Sequence, residues 1–208
     1  MLLPTLLTTF FPKNHSVKRL FKVLFVTTML VISCTSAFAE TALVTENELK
    51  PTADHQRTTN IVTRLLSNYH YKTIPLDDTF SIRIMDRFIE SLDPMHMYFT
   101  IEDIKLIEQQ RNMFDDYLKS ANLLPFFDIF KSYRRNLLRQ TEFALELVEL
   151  EFDFTINESL ELDRKDMPRA ANNTDLNELW RKRIKNEYLN IKLAGKKNPE
   201  EIRKTLTQ

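Results

Sequence analysis

The sequence predicts an all-α domain, a bundle of about five to six helices with a short extended segment near residues 152–156. Two observations carry this. Gly195 is the only glycine in 208 residues, where a globular chain averages about 7%. Apolar residues recur at three- and four-residue spacing over long stretches, and strict alternation is confined to one short run. The scarcity of glycine also excludes functions. Phosphate-cradling loops, dinucleotide fingerprints and nucleophile elbows need glycine where backbone meets a ligand or turns tightly.

The first helix spans roughly 54–71 and is marked by Ile61, Leu65, Leu66 and Tyr69. The Ile74-Pro75 turn precedes a second helix that opens at Asp77-Asp78 and aligns Phe80, Ile84, Phe88 and Leu92 on one face. Asp93-Pro94 stops it, because proline lacks an N–H and restricts the residue before it. Met95 to Phe99 form a largely apolar connector, expected to be buried and to fix the angle between the helices it joins. Thr100 caps a third helix over 100–119, with Asp103 as the capping-box acid and Ile104, Ile107, Phe114 and Leu118 on its face.

Ser120-Ala121-Asn122 breaks the chain before a long fourth helix, which starts near Pro125 and carries Phe126, Phe130, Tyr133, Leu137, Phe143, Leu147 and Leu150. Phe152, Phe154 and Ile156 then alternate with Asp153 and Thr155, the extended segment. Residues 157–169 read as a loop packed on the helices, since Phe152, Phe154 and Leu162 need cover. Thr174 caps a fifth helix through Leu176, Leu179, Trp180, Ile184 and Ile191, ended by Gly195 in left-handed geometry. Asn198-Pro199-Glu200-Glu201 starts a sixth with cap, proline and acids in their expected order. Ile202 and Leu206 must dock for so short a helix to hold, and residues 199–208 are expected to be the first part of a longer helix.

Residues 1–39 combine Lys13, Lys18, Arg19 and Lys22 with an apolar run from Val23 to Ile32 and the small-x-small sequence Ala37-Phe38-Ala39, the order of an export signal. Cleavage after Ala39 leaves Glu40 as the mature N-terminus and a loose leader over 40–53, with the helical domain spanning 54–208. The run is too short for a stable membrane span. Val31-Ile32-Ser33 before Cys34 offers a competing lipoprotein signal, and initiation at Val17 would place the basic residues first. Removing four positive charges from a balanced 29 and 29 leaves a net charge of −4, which provides no footprint for nucleic acid. Cys34 leaves with the signal, so the mature chain holds no disulfide.

Candidate sites are few. His15, His55, His70 and His96 do not fall at metal-ligand spacing, and neither a metal nor a cofactor is expected. His96 is either a packed residue or a pH-sensitive contact. Asp153 and Asp163 are read as surface or turn acids, with no catalytic role expected. Trp180 belongs to the core or to a partner-binding stripe. Arg134, Arg135 and Arg139 form a solvated basic face or a docking surface for a domain or an acidic adaptor.

Several ordered motifs carry a family resemblance from about His55 onward. Ile84-Met85-Asp86-Arg87-Phe88, Leu92-Asp93-Pro94 and Met97-Tyr98-Phe99-Thr100 are followed by Asp153-Phe154-Thr155, Leu162-Asp163-Arg164, Glu178-Leu179-Trp180 and Leu193-Ala194-Gly195-Lys196. Together they resemble the N-terminal domain of the periplasmic tail-specific, or carboxy-terminal processing, protease. The resemblance implies a serine-lysine peptidase that degrades or trims exported proteins from nonpolar C-termini, with its dyad in a mixed α/β core and a PDZ domain for substrate tails. Neither region lies in this chain, which is expected to be a non-catalytic N-terminal helical domain, a product truncated at its C-terminus. Its expected partners are those protease and PDZ regions and an adaptor. A free-standing exported helical binding module is the alternative.

Overall fold

A computed structural model describes residues 45–69, 75–196 and 198–207. The expected signal, its cleavage residues Ala37, Ala39 and Glu40, Cys34 and His70 lie outside this range. Among the described residues the regular structure is helical: a 3₁₀ turn at Glu46–Glu48, then α1 (Ala53–Tyr69), α2 (Asp78–Leu92), α3 (Ile101–Glu108), α4 (Phe114–Lys119), α5 (Leu124–Val148), α6 (Asn173–Leu193) and α7 (Pro199–Leu206). The expected all-α class holds.

The core forms where α2, α3, α4 and α5 meet. Met85, Ile89, Phe99, Ile107, Phe114 and Ile129 are its buried members, with Ile84, Phe88, Leu92, Ile104, Phe126 and Tyr133 packed at its edge. The face of α2 is therefore centred one residue beyond the expected row. Ser81, Met85 and Ile89 point inward, while Phe80, Ile84, Phe88 and Leu92 are half-buried. Aromatic rings extend the packing, with Phe126 edge-on to both Phe88 and Phe114 at centroid distances of 5.6 and 5.1 Å.

Ser81 also corrects the third helix. In place of one helix over 100–119 there are two, α3 and α4, divided by a turn. The Ser81 hydroxyl donates to the Arg111 carbonyl at 2.8 Å and accepts from the Phe114 N–H at 2.7 Å. It thereby satisfies backbone groups at the break, which lets Phe114 reach the core. The end of α4 follows Schellman geometry without glycine: Asn122 N–H reaches the Tyr117 carbonyl at 2.8 Å while Ala121 adopts φ +51°.

Helix α6 packs along α5, and α7 folds back onto α6. Its N-cap is Asn172, not the expected Thr174: the Asn172 side chain accepts from the Asp175 N–H at 3.1 Å. Gly195 ends α6 as expected, at φ +105°, with Lys196 N–H to the Ile191 carbonyl and Gly195 N–H to the Lys192 carbonyl. Asn198 and Pro199 open α7 as expected, and Ile202 is 1% exposed, so the short helix is docked. Residues 152–156 form no ladder with another described segment; Phe152 and Phe154 instead stack against Tyr188 of α6 at 5.8 and 5.9 Å.

Candidate functional site

A buried polar arrangement surrounds the connector from Asp93 to Thr100. A chain leaving a helix at Asp93-Pro94 and re-entering one at Thr100 has several backbone groups without helical partners. Asp93 supplies three of them. Its carboxylate accepts from the N–H groups of Met97 at 2.7 Å, Tyr98 at 3.2 Å and Phe99 at 3.0 Å. Asp93 is 1% exposed, so its charge requires a counter-charge. Arg169 provides it, pairing with Asp93 Oδ2 through Nη1 and donating to the Asp93 carbonyl through Nη2 at 3.4 Å.

Three further contacts lock the connector. Trp180 on α6 donates its indole N–H to the Met97 carbonyl at 2.8 Å, and its ring lies 5.8 Å from that of Tyr98. Ile101 N–H reaches the Ala170 carbonyl at 2.9 Å. His96, at φ +54°, donates from Nδ1 to the Met167 carbonyl at 2.6 Å and turns Nε2 toward Glu90 at 3.7 Å. Histidine tolerates such a backbone better than bulkier residues do. At the far end the Thr100–Asp103 capping box forms as expected, and Asp103 also accepts from Asn136 of α5 at 3.1 Å. Burial raises the Tyr98 phenol above its ordinary range, and Tyr133, whose ring lies 5.4 Å away, is raised for the same reason.

A second feature follows the outer side of α6, where the 154–171 loop leaves two adjoining hollows. One, of about 470 Å³, is lined by residues that include Phe154, Ile156, Glu158, Leu162, Lys185 and Leu189; the other lies over Arg164, Pro168, Asp175 and Leu179. Glu158 anchors the loop, facing Arg181 at 2.9 Å and Lys185 at 3.4 Å. The Arg181 guanidinium holds this carboxyl below the ordinary glutamate range. Lys192 and Lys185 lie over the Phe154 ring at 5.2 and 5.8 Å.

The remaining candidates are dispersed. Trp180 is a half-buried tie between α6 and the connector. Arg135 is exposed and pairs with Glu46 at 2.6 Å. Arg134 is half-buried, and Arg139 has buried guanidinium nitrogens without a hydrogen-bond partner. These residues do not converge on one chemical centre. Asp153 caps its own turn, accepting from the Thr155 N–H and hydroxyl at 2.8 and 2.6 Å, and those bonds lower its carboxyl. Asp163 accepts from the Lys165 N–H at 3.4 Å. His55 closes the N-terminus of α1 through Thr52. Among the described residues no group of His, Cys, Asp and Glu is arranged to hold a metal ion, and no helix is long and apolar enough to cross a membrane.

The family model described as "Tail specific protease N-terminal domain" matches residues 61–208. The chain belongs to that family. It is similar to the tail-specific protease of Haemophilus influenzae, at 34% identity over 156 residues, which cover 74% of this chain and 22% of the relative. The chain thus spans about a fifth of the length of that relative. In this member of the family, three of the motifs quoted for the resemblance meet in space: Asp93, Met97, Tyr98, Phe99 and Trp180 form one hydrogen-bonded unit.

Proposed function

We propose that this chain is the non-catalytic N-terminal helical domain of a periplasmic tail-specific serine protease. The dyad and the tail-binding PDZ region would be supplied by polypeptide outside the chain. The complete enzyme would degrade or process exported proteins from nonpolar C-termini. The observation that carries the reading is the family match across nearly the whole helical unit. The buried, hydrogen-bonded connector supports it, because a domain that positions others needs fixed angles between its helices. Export follows from the order of charges, apolar run and Ala37-Phe38-Ala39. Arg134, Arg135, Arg139 and Trp180 are candidate contacts for the protease and PDZ regions or an adaptor.

The test has two arms. The purified chain alone should not cleave a reporter with a nonpolar C-terminus. A chimaera in which this chain's 61–208 replaces the matching region of the Haemophilus influenzae protease should cleave it. Cleavage by the chain alone, abolished by replacing one of its serines, overturns the non-catalytic reading. A folded but inactive chimaera overturns the domain reading.

A further inference from the structure

Helix α1 extends over 17 residues and buries none of them. Only Thr59, Thr63 and Leu66 are half-covered along its central and C-terminal turns, on the side that packs against α4. Near its start, His55 meets Phe127 of α5 at 5.8 Å. The apolar side chains lie mostly elsewhere. Ile61, Val62, Leu65 and Tyr69 are exposed by 53%, 46%, 51% and 80%. With about 100° between successive residues, Ile61, Leu65, Tyr69 and Val62 form one continuous stripe that ends beside Leu66. Arg57 and Arg64, seven apart, flank the stripe on its other side. Both are exposed and border a shallow hollow with Gln56, Asn60 and Ile61. The helix has a single acid, Asp54, in its first turn.

We infer that this face of α1 docks an acidic amphipathic helix from the larger part of the protease polypeptide, an assignment that rests on the domain reading above. The apolar stripe calls for a helix-in-groove partner, and the two arginines set its charge. A second copy of the chain fits poorly. An antiparallel self-pairing centred between Ile61 and Leu65 brings Arg57 to Tyr69 and Arg64 to Val62, with no acid opposite either. A lipid surface also fits poorly, since two arginines give a weak basic face. The relative of which this chain covers 22% has ample polypeptide for the partner.

The test titrates the isotope-labelled mature chain with two synthetic peptides as long as α1. Both carry leucines at helical spacing; one has glutamates flanking the leucines and the other lysines. The acidic peptide should bind at least about tenfold more tightly and shift amides of 57–69. The R57E/R64E double variant, whose substitutions are exposed and leave folding intact, should reverse the preference. Equal binding of the two peptides, shifts confined to other helices, concentration-dependent shifts without peptide, or tighter binding to phosphatidylglycerol vesicles would each overturn the proposal. An inactive chimaera alongside selective peptide binding would refute the domain reading and leave the surface standing. An active chimaera without peptide selectivity would do the reverse.

Discussion

The connector between α2 and α3 has no regular secondary structure, yet Met97, Phe99 and Thr100 are exposed by only 3%, 0% and 2%. Helix α1 is regular over 17 residues, yet none of them is buried. A helix satisfies most of its own backbone groups, so α1 is complete locally and rests lightly on α4 and α5. The connector satisfies part of its backbone through Asp93 and relies on segments far off in the sequence for the rest. It depends on Asp93, Arg169, Trp180 and an edge of carbonyls from 167–170, and so it ties distant segments together. Regularity and structural importance are separate properties here. Packing, not helix propensity, supplies most helical stability in proteins.

The sharpest way to break this comparison is Asp93→Ala. It strands the Arg169 guanidinium and the N–H groups of Met97, Tyr98 and Phe99. Removing one partner of a buried pair costs about 3–5 kcal/mol. A urea melt should show that loss, and a change below about 1 kcal/mol would mean the connector is held by its apolar side chains alone. Trp180→Phe keeps a ring near Tyr98 and deletes the indole N–H to the Met97 carbonyl, with an expected cost of about 1–1.5 kcal/mol in the same melt.

The loop over α6 should respond to acid. Arg181 depresses the folded pKa of Glu158. Its stabilising contribution is therefore complete above the ordinary glutamate value of about 4.3 and is lost as pH falls through the lowered one. Amide shifts of 156–160 should move in that acid window, and Glu158→Gln should remove the movement. Persistence of the full transition in the variant would assign it to another group. The smallest effect is expected at α1: Leu65→Ala, at a half-exposed position, should change stability by less than about 0.5 kcal/mol.

The sequence made most local features legible, the α6 cap at Asn172 in place of Thr174 excepted, and hid those that depend on distant partners. The Thr100–Asp103 box, the Gly195 terminus and the Asn198-Pro199 start are all written within three or four residues, and all form. Asp93 reads locally as a helix stop; its role as a triple acceptor depends on Arg169, which lies 76 residues away and has no local signal. The division between α3 and α4 was hidden for the same reason, because Ser81 reaches the break from α2. The buried face of α2 is centred one residue off its apolar row because a serine occupies the buried row, and large apolar side chains flank it. Trp180 reads from the sequence as a core residue or part of a partner-binding stripe; its indole N–H finds the Met97 carbonyl 83 residues away, a pairing with no local signal.

Native-state hydrogen exchange tests the contrast most directly. The amides of Met97, Tyr98 and Phe99 should exchange only through global unfolding, with opening free energies matching the denaturant value. The amides of 57–69 in α1 should exchange through a separate, lower-energy opening that leaves the connector closed. Equal protection of both regions, or earlier opening of the connector, would contradict the claim that the irregular connector, not α1, holds this domain together.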